Sequence, residues 1–94
     1  FVIYEKYRTT YRLGEVEVVL DEMPFGNFCE IEGPRAAIVA ALDALGLAEH
    51  PRIGTSYLGM FAQLKQMLNL AFRDLTFANF EGIDIPPEVF DRLT

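Results

Sequence analysis

The sequence predicts an α+β fold, with antiparallel strands in the first third of the chain and packed helices behind them. Three observations carry that expectation. Apolar residues alternate with a period of two up to Gly33, they recur at helical spacing from Pro34 onward, and the turn residues Gly14, Pro24-Gly26 and Gly33-Pro34 fall between the segments. At 94 residues the chain is expected to form a single domain, a β region over 1–33 followed by a mainly helical region over 34–94.

The first strand is expected over Phe1 to Tyr11, a stretch rich in aromatic and β-branched residues, with Lys6, Arg8 and Arg12 on one parity. After Gly14, Val16, Val18 and Leu20 alternate with Glu15, Glu17, Val19 and Asp21, which predicts a second strand with one buried face. Asn27 to Gly33 reads as a third strand, with Phe28, Glu30 and Glu32 on one side and Cys29 and Ile31 on the other. Pro34 then opens a helix over Ala36 to Leu45, with Ile38, Leu42 and Leu45 as its apolar stripe and Gly46 as its left-handed stop. Thr55 or Ser56 can cap a second helix in which Tyr57, Phe61, Leu64 and Leu68 form a core stripe. Arg73 to Phe80 fits a short strand or a helical turn, and Pro86-Pro87 precede a last turn over Glu88 to Leu93.

Composition excludes several functions. The chain is 51% hydrophobic and 23% charged, too apolar for a disordered segment. Its net charge of −6 would repel an extended phosphate backbone, so nucleic acid is not an expected partner. No run approaches the ~18 apolar residues of a membrane span. A single cysteine, Cys29, closes no intrachain disulfide, which suits a cytoplasmic setting, and its apolar parity predicts a buried, inert thiol. His50, in Glu49-His50-Pro51, has no second His or Cys at ligand spacing.

The charges are ordered. Lys6, Arg8 and Arg12 dominate the first 13 residues, whereas Glu15, Glu17, Asp21, Glu22, Glu30 and Glu32 follow with no basic residue among them. Lys6 with Arg8, and Glu30 with Glu32, are spaced i, i+2, which on a strand sets both side chains on one face about 6.5–7 Å apart. Cations of this kind suit phosphate oxygens, and one or two carboxylates suit a phosphate-bound Mg²⁺ or Mn²⁺. The same spacing also suits solvated strand faces joined by weak cross-strand ion pairs, and Glu15 and Glu17 are expected to pair with Arg12 or face solvent.

The order of these residues resembles a known family. Lys6-Tyr7-Arg8, Glu17-Val18-Val19-Leu20-Asp21, Phe25-Gly26-Asn27-Phe28-Cys29-Glu30-Ile31-Glu32-Gly33, the Ala/Leu helix ending Leu45-Gly46-Leu47, and Ser56-Tyr57 are similar to the C-terminal half of the CYTH domain. That family groups class IV adenylate cyclases with thiamine and inorganic triphosphatases among the triphosphate tunnel metalloenzymes. The resemblance implies half of a triphosphate-tunnel β-barrel and a cofactor of Mg²⁺ or Mn²⁺. It also implies a small-molecule substrate: tripolyphosphate, ATP or thiamine triphosphate. Carried over residue by residue, it makes Lys6 and Arg8 the phosphate-binding pair, Glu30 and Glu32 the catalytic and metal-binding pair, and Asp21 a further metal residue.

The family's leading Glu-x-Glu-x-Lys signature is absent. Glu15-Val16-Glu17-Val18-Val19 imitates its start, with Val19 where the Lys would stand. The expectation is therefore a chain that begins mid-domain at Phe1, is inactive by itself, and pairs with a missing N-terminal half or with a second copy. A non-catalytic polyphosphate- or nucleotide-binding module, or an interaction module with Leu75, Phe77 and Phe80 at its interface, is the competing expectation.

Overall fold

The fold is α+β: a three-stranded antiparallel sheet plus helices. The structure, a computed structural model, describes residues 2–50 and 52–93. Phe1, expected to open the first strand, and Pro51 of the His50 loop lie outside the described residues. The chain divides into two compact units, Lys6–His50 and the described residues of Phe1–Glu5 and Pro51–Thr94.

In the first unit, β1 (Tyr7–Leu13), β2 (Val16–Met23) and β3 (Gly26–Glu32) form a meander in the order β1-β2-β3. Both hairpins turn in two residues. Leu13 pairs with Val16 around Gly14-Glu15, where Gly14 supplies a positive φ of 58° at the first central position, the conformation that a two-residue hairpin assigns to glycine. Met23 pairs with Gly26 around Pro24-Phe25, with proline preset for the first turn position. Helix α1 (Arg35–Ala44) follows. It ends in a Schellman motif: the Leu47 N–H reaches the Leu42 carbonyl at 2.8 Å, the Gly46 N–H reaches that of Asp43 at 3.1 Å, and Gly46 has φ 70°.

One face of the sheet packs beneath this helix. Val16, Val18 and Ala41 are buried there, with Ile31, Ala37 and Ile38 against them. The expected helix stripe is therefore shifted: Ala37, Ile38 and Ala41 meet the sheet, Leu42 is half-buried, and Leu45 is exposed. Small alanines let the helix approach the β-branched side chains of β2, a fit that counting large residues misses. The expectation of one buried face on β2 is also corrected. Val19, Asp21 and Met23 are buried on the opposite parity, and Leu20 is exposed.

The second unit contains α2 (Tyr57–Leu68), the single turn α3 (Phe77–Phe80) and a 3₁₀ segment (Pro87–Arg92). Ser56 is the cap of α2, its Oγ accepting from the Gly59 N–H at 3.1 Å. Tyr57, Met60, Phe61 and Leu64 are buried, and Leu68 is half-buried. Phe61, Phe72 and Phe80 form an aromatic cluster with centroids 5.1 to 6.0 Å apart. Leu75 and Phe80 belong to the buried core, and Phe77 is half-buried, so an interface role for this neighbourhood is not what the fold provides. The Arg73 to Phe80 stretch is both of the expected alternatives in turn, since Leu75 makes a β-bridge and α3 follows under a Thr76 cap.

The first strand departs furthest from expectation. β1 begins at Tyr7, while residues before it pair in the other unit. Tyr4 bridges Leu75 in parallel, the Glu5 N–H donates to the Leu75 carbonyl at 2.9 Å, and the Leu75 N–H donates to that of Ile3 at 2.8 Å. Two carboxylates fasten the segment: Asp74 Oδ1 accepts from the Ile3 N–H and Glu5 Oε1 from the Phe77 N–H, each at 3.0 Å. The β character read along residues 1–11 is thus divided between two pairings.

Candidate functional site

The antiparallel register explains which charged side chains meet. Residues equidistant from a two-residue turn face one another, so Arg8 lies opposite Asp21, Thr10 opposite Val19, and Arg12 opposite Glu17. Across the second hairpin, Asp21 faces Phe28, Val19 faces Glu30, and Glu17 faces Glu32. All these residues share the sheet face opposite α1, because alternate residues of each strand point the same way.

Arg8 and Asp21 form the centre of that face. The Arg8 Nε–H donates to Asp21 Oδ1 and Nη2–H to Oδ2, both at 2.7 Å, a bidentate fork. The Asp21 side chain is 0% exposed and that of Arg8 is 40% exposed, so the carboxylate is withdrawn from water while its partner keeps one side in solvent. Such a pair contributes little over an apolar replacement, yet removal of the cation alone leaves a buried negative charge without its guanidinium. Glu30, one row along on β3, brings Oε2 to 3.8 Å from the same Nη2. Phe28 lies beside Asp21 and meets Phe25 edge-on at 5.6 Å.

Of the residues expected from sequence, the structure brings together Arg8, Asp21 and Glu30. Glu32 is exposed in the next row, opposite Glu17. Lys6 is half-buried just ahead of β1. Arg12 faces Glu17 in register, but no ion pair joins them, and Glu15 is exposed in the turn. Among the described residues, no group of three or more His, Cys, Asp or Glu is placed to hold a metal ion. As arranged, the residues do not fit Mg²⁺ or Mn²⁺, because the Arg8 guanidinium sets a positive charge against both Asp21 oxygens and Glu32 stands apart.

The Arg8–Asp21 contact is what sequence reasoning missed. Its signal lies in the Gly14 turn, since pairing outward from that turn sets residue 8 against residue 21. Cys29 is a further correction. It is exposed on the α1 side, lining an open apolar hollow with Leu20, Leu45 and Leu47. Desolvation by these neighbours, and then the Glu30 charge, push its thiol pKa upward, so it stays protonated at neutral pH despite its exposure. Its apolar parity was legible, but the limited cover that α1 and its following turn give this end of the sheet was not.

Comparisons with protein-family models, with curated proteins and with solved structures found no match to this chain. No helix among the described residues is long and apolar enough to cross a membrane.

Proposed function

We propose that the chain is the C-terminal portion of a metal-dependent, cytoplasmic, triphosphate-processing domain of the CYTH type. Its activity is that of a phosphohydrolase of inorganic or organic triphosphates, or of a class IV-type adenylate cyclase. The observation that carries the reading is the charge lining of one sheet face: Arg8, Arg12, Glu17, Asp21, Glu30 and Glu32 share it with the buried Val19 and Met23, while Val16, Val18 and Ile31 pack under α1 on the other. A strand set that lines a ligand site with charge on one side and packs a helix on the other needs such a charged face. In this reading Lys6 and Arg8 contact the triphosphate of tripolyphosphate, ATP or thiamine triphosphate, and Glu30 and Glu32 are the working carboxylates. The motif order from Lys6 to Tyr57 adds to it.

Titration calorimetry with tripolyphosphate at low ionic strength tests the reading. Saturable binding is expected, weakened by roughly tenfold in Lys6→Ala through loss of a charge-assisted contact. With ATP as substrate and the N-terminal half of the domain restored, product chromatography then separates orthophosphate release from cyclic AMP with pyrophosphate. Absence of tripolyphosphate binding, with and without Mg²⁺, ends it.

A second reading, a non-catalytic binding or interaction module, is favoured by β1, a sheet-edge strand exposed at all seven residues. Such an edge invites a strand from another chain, a second copy or a complementary half-domain. Light scattering that showed a monodisperse monomer at every concentration would remove it.

A further inference from the structure

We infer that the Arg8 guanidinium is itself the counter-cation of the carboxylate cluster: it fills the position between Asp21 and Glu30 and keeps Mg²⁺ and Mn²⁺ out, making Arg8 the residue that decides metal access to this face. The inference stands on the arrangement of the three side chains and holds whether or not the chain meets a triphosphate.

Three features carry it. First, the fork takes a lone pair on each Asp21 oxygen and sets a positive charge 2.7 Å from both, so a divalent ion beside them meets a like charge. Second, the same Nη2 lies 3.8 Å from Glu30 Oε2, placing the positive charge between the two carboxylates. Third, Asp21 is fully enclosed and cannot swing outward to meet an ion in solvent, while Glu32 faces Glu17 a row away and supplies no third ligand. An octahedral ion needs oxygens at about 2.0–2.1 Å, and taking them from Asp21 would bring its charge close against the guanidinium.

Removal of Arg8 would leave a buried carboxylate without its guanidinium, close to Glu30, and a divalent ion then becomes a favourable guest. Electron paramagnetic resonance of Mn²⁺ reads this directly. The wild type is expected to leave the free-ion signal unchanged, Arg8→Ala to bind Mn²⁺ at least about tenfold more tightly, and Arg8→Ala/Asp21→Asn to return to wild-type behaviour. Wild-type Mn²⁺ binding that Asp21→Asn abolishes, or an Arg8→Ala chain no tighter than wild type, overturns the inference.

Because Arg8→Ala can fail to fold, a second measurement uses the intact chain. The Arg8 Nε–H resonance, assigned by its loss in Arg8→Lys, is expected to keep its position as Mg²⁺ is added. Its displacement by Mg²⁺ alone overturns the inference. Phosphorus resonances of added tripolyphosphate report on the triphosphate reading separately. A chain that ignores tripolyphosphate yet admits Mn²⁺ only without Arg8 upholds this inference and fails that reading alone.

Discussion

The two faces of the sheet are built from the same three strands and solve opposite problems. Beneath α1, Val16, Val18 and Ile31 meet Ala37, Ile38 and Ala41, and shape alone decides the fit. On the other face Val19 and Met23 are as buried as the α1-side valines, but they flank Asp21, a charge that must be answered. The first face calls for apolar residues of the right size; the second calls for a group at position 8 that answers the Asp21 charge. Stability on one side is spread over many apolar contacts, whereas on the other a buried charge is held by the Arg8 fork.

That contrast can be broken most severely at Arg8. Arg8→Ala is expected to cost about 3 kcal/mol in urea unfolding, near the low end for a broken buried pair because the guanidinium itself is 40% exposed. Asp21→Asn, which takes the carboxylate from a half-exposed cation rather than the cation from a buried carboxylate, is expected to cost only about 1 kcal/mol. Equal losses at the two positions would contradict the picture of an enclosed carboxylate held by an accessible partner.

On the α1 side, Val16→Ala is expected to cost about 2 kcal/mol, since Val16 is 1% exposed and two methyl groups leave the core. Gly33→Ala tests the join between β3 and α1. A Cβ there would lie 2.9 Å from the Glu15 carbonyl oxygen at a φ of 153°, and a loss of about 1–3 kcal/mol is expected. A Gly33→Ala chain that melts like the wild type would remove the close approach. The smallest effect concerns Cys29. Iodoacetamide should label it several-fold more slowly at pH 7 than a free cysteine, with the rate rising as pH climbs toward the raised pKa, because only the thiolate reacts. Fast labelling at neutral pH would mean that the apolar hollow does not desolvate the thiol.

A pH test sharpens the comparison from outside the sheet. The Asp74 pKa is lowered, first by the Ile3 N–H and then by Arg73. A depressed carboxylate contributes stability that is present above its unfolded value and lost as pH falls through its folded value. Protection of the Ile3 and Leu75 amides, taken relative to their intrinsic exchange rates at each pH, should therefore fall below the ordinary aspartate range, and Asp74→Asn should flatten that dependence. Arg8→Ala should leave it intact.

Much of this was legible in the residues. Gly14 and Pro24 mark both turns, Ser56 is a cap that the chain uses, and Gly46 stops α1 where a left-handed residue was expected. The grouping of Arg8, Asp21 and Glu30 on one face follows from strand parity. What parity cannot say is which partner a charge chooses: Arg8 could serve a phosphate or Asp21, and burial of Asp21 decides that only after the chain has folded. Leu20 and Cys29 carry the apolar parity yet stay exposed, because a short helix covers only part of a sheet face. The pairing of Ile3 to Glu5 with Leu75 lies beyond any local pattern.

That last pairing has a topological consequence. Ile3 and Asp74 are 71 positions apart, and Glu5 and Phe77 are 72 apart, so the sheet unit is an insertion within the sequence of the other. The two edges of one small bridge must find each other around the whole meander, at a loop-closure entropy on the order of 4 kcal/mol if the intervening chain were loose. A sheet that forms early shortens that search by drawing residues 6 and 50 into one compact body. Connectivity therefore predicts that local hairpins come first and that the Tyr4–Leu75 bridge is a late, high-contact-order step, one that a circular permutation shortening the separation of its partners should speed in stopped-flow refolding.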